Sequence, residues 1–364
     1  MKKVAVVGAG IVGLAQAYTY AKRGHKVHVY ERSVRAAGAS VRNFGLIWPI
    51  GQASGFLSDL AMRSRQLWME VLDEAGLPYR ATGSLHLAYR DDEEAVAREF
   101  SKLEPARARW IPPEEVLRLS SCVRPHGLRG ALFSGHEITV DPRRILSRLP
   151  ELLRQEYGVQ FSFGRAVTDV RSLDSDSVLI CSGDDFETLY PEVFAASGVT
   201  RCKLQMMRTG SQPAGWELGP ALAAGLTLRF YQSFKICSTL SALEQRIAAE
   251  LPEYDRWGIH VMASQTADGA ITIGDSHEYG LDVDVFNKEE IDRLILDYLA
   301  GFARFPNMQI AERWHGVYAR DFHRPFFYEQ PEPGVSIITA SAGKGMTVAF
   351  GLGEFLYENS SCRF

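Results

Sequence analysis

The opening residues restrict the fold more than any other stretch of the chain. Val4-Ala-Val-Val reads as a short buried strand and runs directly into Gly8-Ala-Gly10-Ile11-Val12-Gly13. Leu14 to Arg23 then reads as a helix stopped at Gly24, and Lys26 to Tyr30 as a second strand closed by Glu31. This strand–turn–helix–strand order is the setting in which a G-x-G-x-x-G turn cradles the pyrophosphate of a dinucleotide. Gly8 permits the tight turn, Gly10 lets the backbone approach the phosphates, and Gly13 lets helix and strand pack closely. The helix N-terminus adds unpaired N–H groups and the positive end of its dipole. Glu31, at the end of the second strand, is placed to accept hydrogen bonds from ribose hydroxyls. A glycine turn without a ligand leaves that acid unexplained. The turn does not separate NAD from FAD.

Bulk properties exclude several classes. The 364 residues suffice for one large core or two domains. A composition of 46% hydrophobic and 23% charged residues, with a net charge of −4, gives no electrostatic case for nucleic acid or membrane as partner. The five cysteines, Cys122, Cys181, Cys202, Cys237 and Cys362, show no C-x-x-C spacing, so neither a disulfide framework nor a metal site is expected. Reduced thiols in a cytoplasmic protein are the simpler reading. Met-Lys-Lys before an apolar run imitates a secretory signal, but Gly8, Gly10 and Gly13 interrupt the run and no cleavage pattern follows. Lys22 and Arg23 end any membrane span there. No internal repeat is found, and Asn359 to Phe364 reads as a loose tail.

Further segments extend the first motif. Arg32 follows Glu31, and then comes Gly38-Ala-Ser40-Val-Arg42-Asn43-Phe44-Gly-Leu-Ile-Trp48-Pro. Ala166-Val167-Thr-Asp-Val precedes the apolar strand Ser177-Val-Leu-Ile-Cys-Ser182-Gly183. Near the C-terminus, Val335-Ser-Ile-Ile-Thr-Ala-Ser-Ala-Gly343-Lys344-Gly345-Met346-Thr347 reads as strand, glycine turn and a helix running to Leu356. Together these resemble the amine-oxidising flavoprotein superfamily that includes D-amino-acid oxidase, glycine oxidase and sarcosine oxidase. The resemblance implies FAD, held by Gly8, Gly10, Ile11, Val12, Gly13, Glu31, Arg32, Ser40, Asn43, Phe44, Val167, Ser182, Gly183 and the Gly343–Thr347 turn. A lysine and a helix N-terminus at that last turn suit negative charge near the flavin's pyrimidine end. Sarcosine oxidases attach flavin through a cysteine, and none lies between Cys237 and Cys362, so non-covalent FAD is expected.

The implied fold is α/β, with a Rossmann-type FAD-binding domain and a second α+β substrate domain built on an antiparallel sheet. The first domain would be discontinuous, from residues 1–80, 145–200 and 310–364, and the second would comprise 81–144 and 201–309. Within the second, Gly258 to Asp275 reads as a hairpin turning at Asp268-Gly269, and Glu289 to Phe302 as an amphipathic helix.

The same resemblance implies the chemistry: a neutral amine loses hydride from the carbon beside nitrogen, the imine hydrolyses, and O2 is reduced to hydrogen peroxide. Positioning and desolvation carry much of such catalysis, so no Ser-His-Asp array is needed, and none is found. The familiar carboxylate clamps are missing. Glycine and D-amino-acid oxidases have arginine in a W-x-G-x-R strand where this chain has Trp314-His315-Gly316-Val317-Tyr318. Sarcosine oxidases have lysine where Thr347 stands, and Lys344 occupies their histidine position. The stretches Gly38–Gln52 and Cys202–Thr209 resemble a subgroup associated with 2-aminoethylphosphonate catabolism. A phosphonate requires several donors or cations. The resemblance, which sets the Lys344 turn near the flavin and the Trp314–Tyr318 strand at the pocket, implies Lys344, His315 and Tyr318 as catalytic groups, with Arg42, Trp48, Arg208, Tyr231 and Arg320 around the substrate. Arg229 and Arg324 are further basic candidates, packing is the simpler role for Tyr231, and His260 reads as a satisfied structural histidine. The alternatives are an oxidase or dehydrogenase for glycine, sarcosine or a D-amino acid, and an FAD-containing interaction protein without amine oxidase activity.

Overall fold

The computed structural model describes residues 1–359. Of the expected tail Asn359 to Phe364, residues 360 to 364, with Cys362, lie outside them. The first glycine turn joins the central strands of a six-stranded sheet. Its order is Phe326–Glu332, Val335–Ala340, Ser177–Ile180, Lys3–Val7, Lys26–Glu31 and Gln160–Phe163. Every neighbouring pair is parallel except the hairpin formed by the first two. The apolar runs make this arrangement stable, because a parallel sheet is covered on both faces. On one face pack the helices Ile11–Lys22, Phe56–Glu74 and Gly345–Glu358, where Trp68 and Tyr18 both meet the Phe350 ring edge-on. Close packing there needs a glycine: a Cβ on Gly351 would stand 2.5 Å from the carbonyl oxygen of Leu60. On the other face Val167, Phe186, Phe194, Val199 and Phe327 form a separate cluster.

The second sheet has nine strands and is antiparallel apart from the pair Ser84–Ala88 and Ala221–Ala223. Its longest members are Thr200–Ser211 and Ile310–Arg320, hydrogen-bonded to one another almost end to end. The strand Ile310–Arg320, expected with the dinucleotide unit, thus belongs to the larger sheet, and the chain returns to the parallel sheet only at Phe326. Strand alternation sorts the residues of Thr200–Ser211. Gln205 donates to Asp292 of the helix Glu289–Phe302 at 2.8 Å, whereas Leu204 and Met206 point to a cavity on the opposite side. The expected hairpin is present as Met262–Gln265 and Ala270–Gly274. Three short strands, Leu46–Ile47, Ile138–Val140 and Tyr79–Arg80, form a small third sheet. Among the described residues no helix is long and apolar enough to cross a membrane, and the four described cysteines are free and buried.

Candidate active site

Two cavities meet between the sheets, sharing Ala39 and Arg42 in their walls. The first, about 540 Å³, lies beyond the ends of Lys3–Val7 and Lys26–Glu31, where open α/β sheets bind ligands. Gly8 is at φ +106°, and a Cβ there would sit 2.3 Å from the Cys181 carbonyl oxygen. Only glycine allows the turn and the neighbouring strand to approach this closely. Gly13 serves packing rather than the cavity wall, because its Cβ would meet the Gly8 carbonyl oxygen at 2.0 Å. Glu31 is fixed by two backbone donors: Ala9 N–H to one carboxylate oxygen and Ser33 N–H to the other, each at 2.9 Å. Gly10, Ser40, Val167, Ser182 and Gly183 line the same space, and Arg32 borders it while ion-paired to Asp185 at 2.7 Å.

Four expected cofactor residues do not line either cavity. Ile11 gives its N–H to Ser40 Oγ at 2.9 Å, Val12 packs against the core, Gly13 meets Gly8, and Gly345 sits against Ile11. Asn43 lines the second cavity, but its side chain ties the turn together, donating to the Ala39 and Ser40 carbonyls and accepting from Gly45 N–H. Thr347 Oγ1 accepts from Trp48 N–H at 3.0 Å, which joins the C-terminal turn to the Gly38–Gln52 segment.

The second cavity, about 350 Å³, is enclosed by Phe44, Trp48, Tyr231, Gly343, Lys344, Met346 and the facing sheet. From Ile310–Arg320, the residues Gly316, Tyr318 and Arg320 face it. His315 therefore does not, correcting the sequence expectation: it has the opposite strand parity and its Nδ1 lies 3.0 Å from Asn287 Oδ1. Arg208 is also corrected. It shares the face of Leu204 and Met206 but stands farther along the strand, where a bulge begins, and it pairs with Asp268 and donates to Thr266 at 2.8 Å. Arg229 is paired with Asp255, and Arg324 with Asp321 and Glu329.

Of the lysines and arginines lining the second cavity, three have no carboxylate partner among the described residues: Arg42, Arg320 and Lys344. Arg42 reaches only the His315 carbonyl, at 3.4 Å. Arg320 lies over the Phe322 ring at 4.8 Å, and its buried Nε has no hydrogen-bond partner. Burial, and then the nearby Arg320 charge, bring the Lys344 ammonium down to about 8.

The sequence reading of His260 is also revised. It is buried and lines the cavity, and its Nδ1 has no partner. Its Nε2 lies 3.1 Å from Asp275 Oδ1, an oxygen that has no hydrogen-bond partner among the described residues. His277 completes a buried group whose potential ligand atoms lie within 4.8 Å of one another. The hairpin was legible in the sequence but this grouping was not. Its ladder pairs Met262 with Gly274, which continued would set His260 opposite Ser276. The backbone instead exchanges both hydrogen bonds between His260 and Asp275, and this one-residue shift turns Asp275 toward the histidine.

Comparison with known proteins accords with this architecture. Glycine oxidase of Geobacillus kaustophilus (strain HTA426) is 26% identical over 216 residues, which cover 55% of each chain. A D-amino acid dehydrogenase of Helicobacter pylori is 56% identical over 46 residues, 13% of this chain and 11% of that protein. The matches therefore span about half, or less, of these curated relatives. Among solved structures, glycine oxidase from Geobacillus kaustophilus superposes with a TM-score of 0.75 at 19% identity, covering 99% of this chain and 94% of that one. L-proline dehydrogenase from P. horikoshii gives 0.73 at 19% identity, with 99% and 93% covered; at these identities the likeness is one of fold. Its sequence matches the FAD dependent oxidoreductase family from residue 3 to residue 358, and the chain belongs to that family.

Proposed function

We propose that this protein oxidises a small amine that also carries an anionic group, an aminophosphonate such as 2-aminoethylphosphonate or its N-methyl derivative being the substrate class that best suits the cavity. The observation carrying this reading is the trio Arg42, Arg320 and Lys344, which face one cavity with no carboxylate in ion-pair contact with any of them among the described residues. Cations left unpaired in a half-buried site favour an anionic ligand, and a dianion satisfies more of them than a carboxylate does. Tyr318 holds the place of the familiar clamp arginine, but Arg320, two residues on, faces the same cavity.

FAD fits the first cavity: Glu31 is already oriented there by two amides, and Gly8 and Gly10 bring the backbone to its wall. When bound, FAD supplies two-electron chemistry, taking hydride from the carbon beside nitrogen and leaving an imine that hydrolyses to an aldehyde and an amine or ammonia, with O2 reduced to hydrogen peroxide. With no cysteine among the residues around either cavity except the buried Cys181, we take the cofactor to be non-covalent. Trp48, Phe44 and Tyr231 form apolar walls that exclude water and fix the amine, while the three cations orient its anionic end. Lys344, at the entry to the helix Gly345–Glu358, stands where the C-terminal turn meets the substrate cavity.

Matched pairs test the substrate class. Flavin reduction or peroxide release is followed with 2-aminoethylphosphonate and its carboxylate counterpart, and the phosphonate should be preferred. Clear preference for the carboxylate would return the protein to the amino-acid oxidase or dehydrogenase class, a second reading that the likeness to glycine oxidase favours.

A further inference from the structure

We propose that Asp275 accepts the proton that a substrate ammonium must lose before its carbon can give up hydride, with His260 as its positioning partner. The inference rests on the amine reading above.

Asp275 is 5% exposed and lines the substrate cavity, and among the described residues it accepts no side-chain hydrogen bond. A buried carboxyl group whose hydrogen-bond donor is its own backbone N–H alone is costly and rare in a native structure unless a ligand completes it. It is also the unpaired acid in a cavity whose unpaired ions are otherwise cations; Asp321, the other carboxyl group in the wall, is tied to Arg324 at 2.7 Å. A substrate with an ammonium at one end and an anion at the other would find both complements in this space.

The groups that set its protonation come from several strands. His260 and His277 are stacked at 5.2 Å beside it, and Tyr231, Tyr318 and Cys202 lie within its field. Arg320 and then Arg229 are the cations acting on His277, while His277, Arg229 and His86 act on His260. Burial pushes the Asp275 carboxyl well above its usual range and the His260 imidazole well below. Both directions favour a site without net charge. An ammonium beside the ionised form of Asp275 reaches that state by proton transfer: an N–H bond of the ammonium breaks, its electron pair stays on nitrogen, and an O–H bond forms on the carboxylate, whose raised proton affinity drives the step. Two buried charges become a neutral amine beside a neutral acid, and nothing is oxidised in the step. The imidazole of His260, with its Nε2 3.1 Å away, braces the carboxyl group and is itself stacked on Phe230 at 4.0 Å.

The test is rapid flavin reduction in the holoenzyme across pH, with 2-aminoethylphosphonate, its N-methyl derivative and glycine as probes. In Asp275→Asn, the second-order rate of reduction should fall about 100-fold at neutral pH, the usual scale of a lost acid–base group. It should climb back toward wild type as pH rises and the probe loses its proton in solution. Asp275→Glu should recover much of the neutral-pH rate, and Asp275→Ser should repeat the asparagine behaviour if the asparagine variant does not retain FAD. A loss of equal size at every pH, or no loss, overturns the proposal while leaving the amine reading intact. A wild-type flavin that none of the three probes reduces overturns both. Inactivation by a chelator with recovery on adding zinc would assign His260, Asp275 and His277 to a metal and overturn it as well.

Discussion

Replacing Gly8 by alanine should separate the cost of an unusual backbone conformation from the cost of a blocked approach. At φ +106° an L-residue is disfavoured by about 1–2 kcal/mol. Its Cβ would also stand 2.3 Å from the Cys181 carbonyl oxygen and 3.0 Å from the carbon. Those are backbone atoms of the chain leaving the strand Ser177–Ile180, so no side-chain rotation relieves the contact. Forced overpacking of this kind adds about 1–3 kcal/mol, giving about 2–5 kcal/mol in all. Gly24 is the control: it is also left-handed, at φ +80°, but a Cβ there meets nothing within 4 Å. Gly24→Ala should therefore cost only the conformational part, about 1–2 kcal/mol. Denaturant titration of the apoproteins measures stability, and flavin absorbance after dialysis measures FAD retention. Gly8→Ala should be the less stable and should lose FAD, because the displaced turn borders the cofactor cavity. Two variants of equal stability, with FAD retained in both, would refute the steric reasoning.

Other changes read out different parts of the account. Glu31→Gln replaces one acceptor by an amide NH2 that faces a backbone N–H, so FAD affinity should fall about tenfold, the equivalent of one lost hydrogen bond, when titrated into apoprotein. Lys344→Met should raise KM for an anionic amine about 10- to 100-fold and leave a neutral amine nearly unaffected, as judged by steady-state kinetics. His86, wholly buried with both ring nitrogens unpartnered, is held down to about 3 by burial against 6.5 in an unfolded chain. Its depressed value means that its contribution is constant above pH 6.5 and is lost as pH falls below it, by about 1.4 kcal/mol per unit. In His86→Phe that part of the acid destabilisation should vanish, measured by denaturation at neutral pH and near pH 5. His315→Ala should leave KM for the amine unchanged within about twofold, since its side chain is bonded to Asn287 outside the cavity.

The parts of the molecule legible in the sequence are those governed by local rules. The Gly8–Gly13 turn, Glu31 and the strand–turn–helix at Gly343 announce themselves because each needs a particular residue at a particular backbone position. The helix Glu289–Phe302 was equally plain from its apolar spacing. The substrate side was less legible because it depends on register. His315 and Tyr318 lie three residues apart on one strand, so alternation sends them to opposite faces and only Tyr318 to the cavity. Arg208 has the right parity but stands too far along its strand, beside Asp268. The placement of Asp275 is not legible in the sequence because a single-residue shift beyond the regular hairpin ladder decides which way it points.

The central claim is that FAD in this protein receives electrons from a small amine, and anaerobic titration tests it most directly. The purified protein should be yellow, and its visible flavin band should bleach on adding 2-aminoethylphosphonate, its N-methyl derivative or a related small amine, then return with air. A yellow protein that dithionite reduces but no amine bleaches would contradict the claim and leave FAD as a structural component.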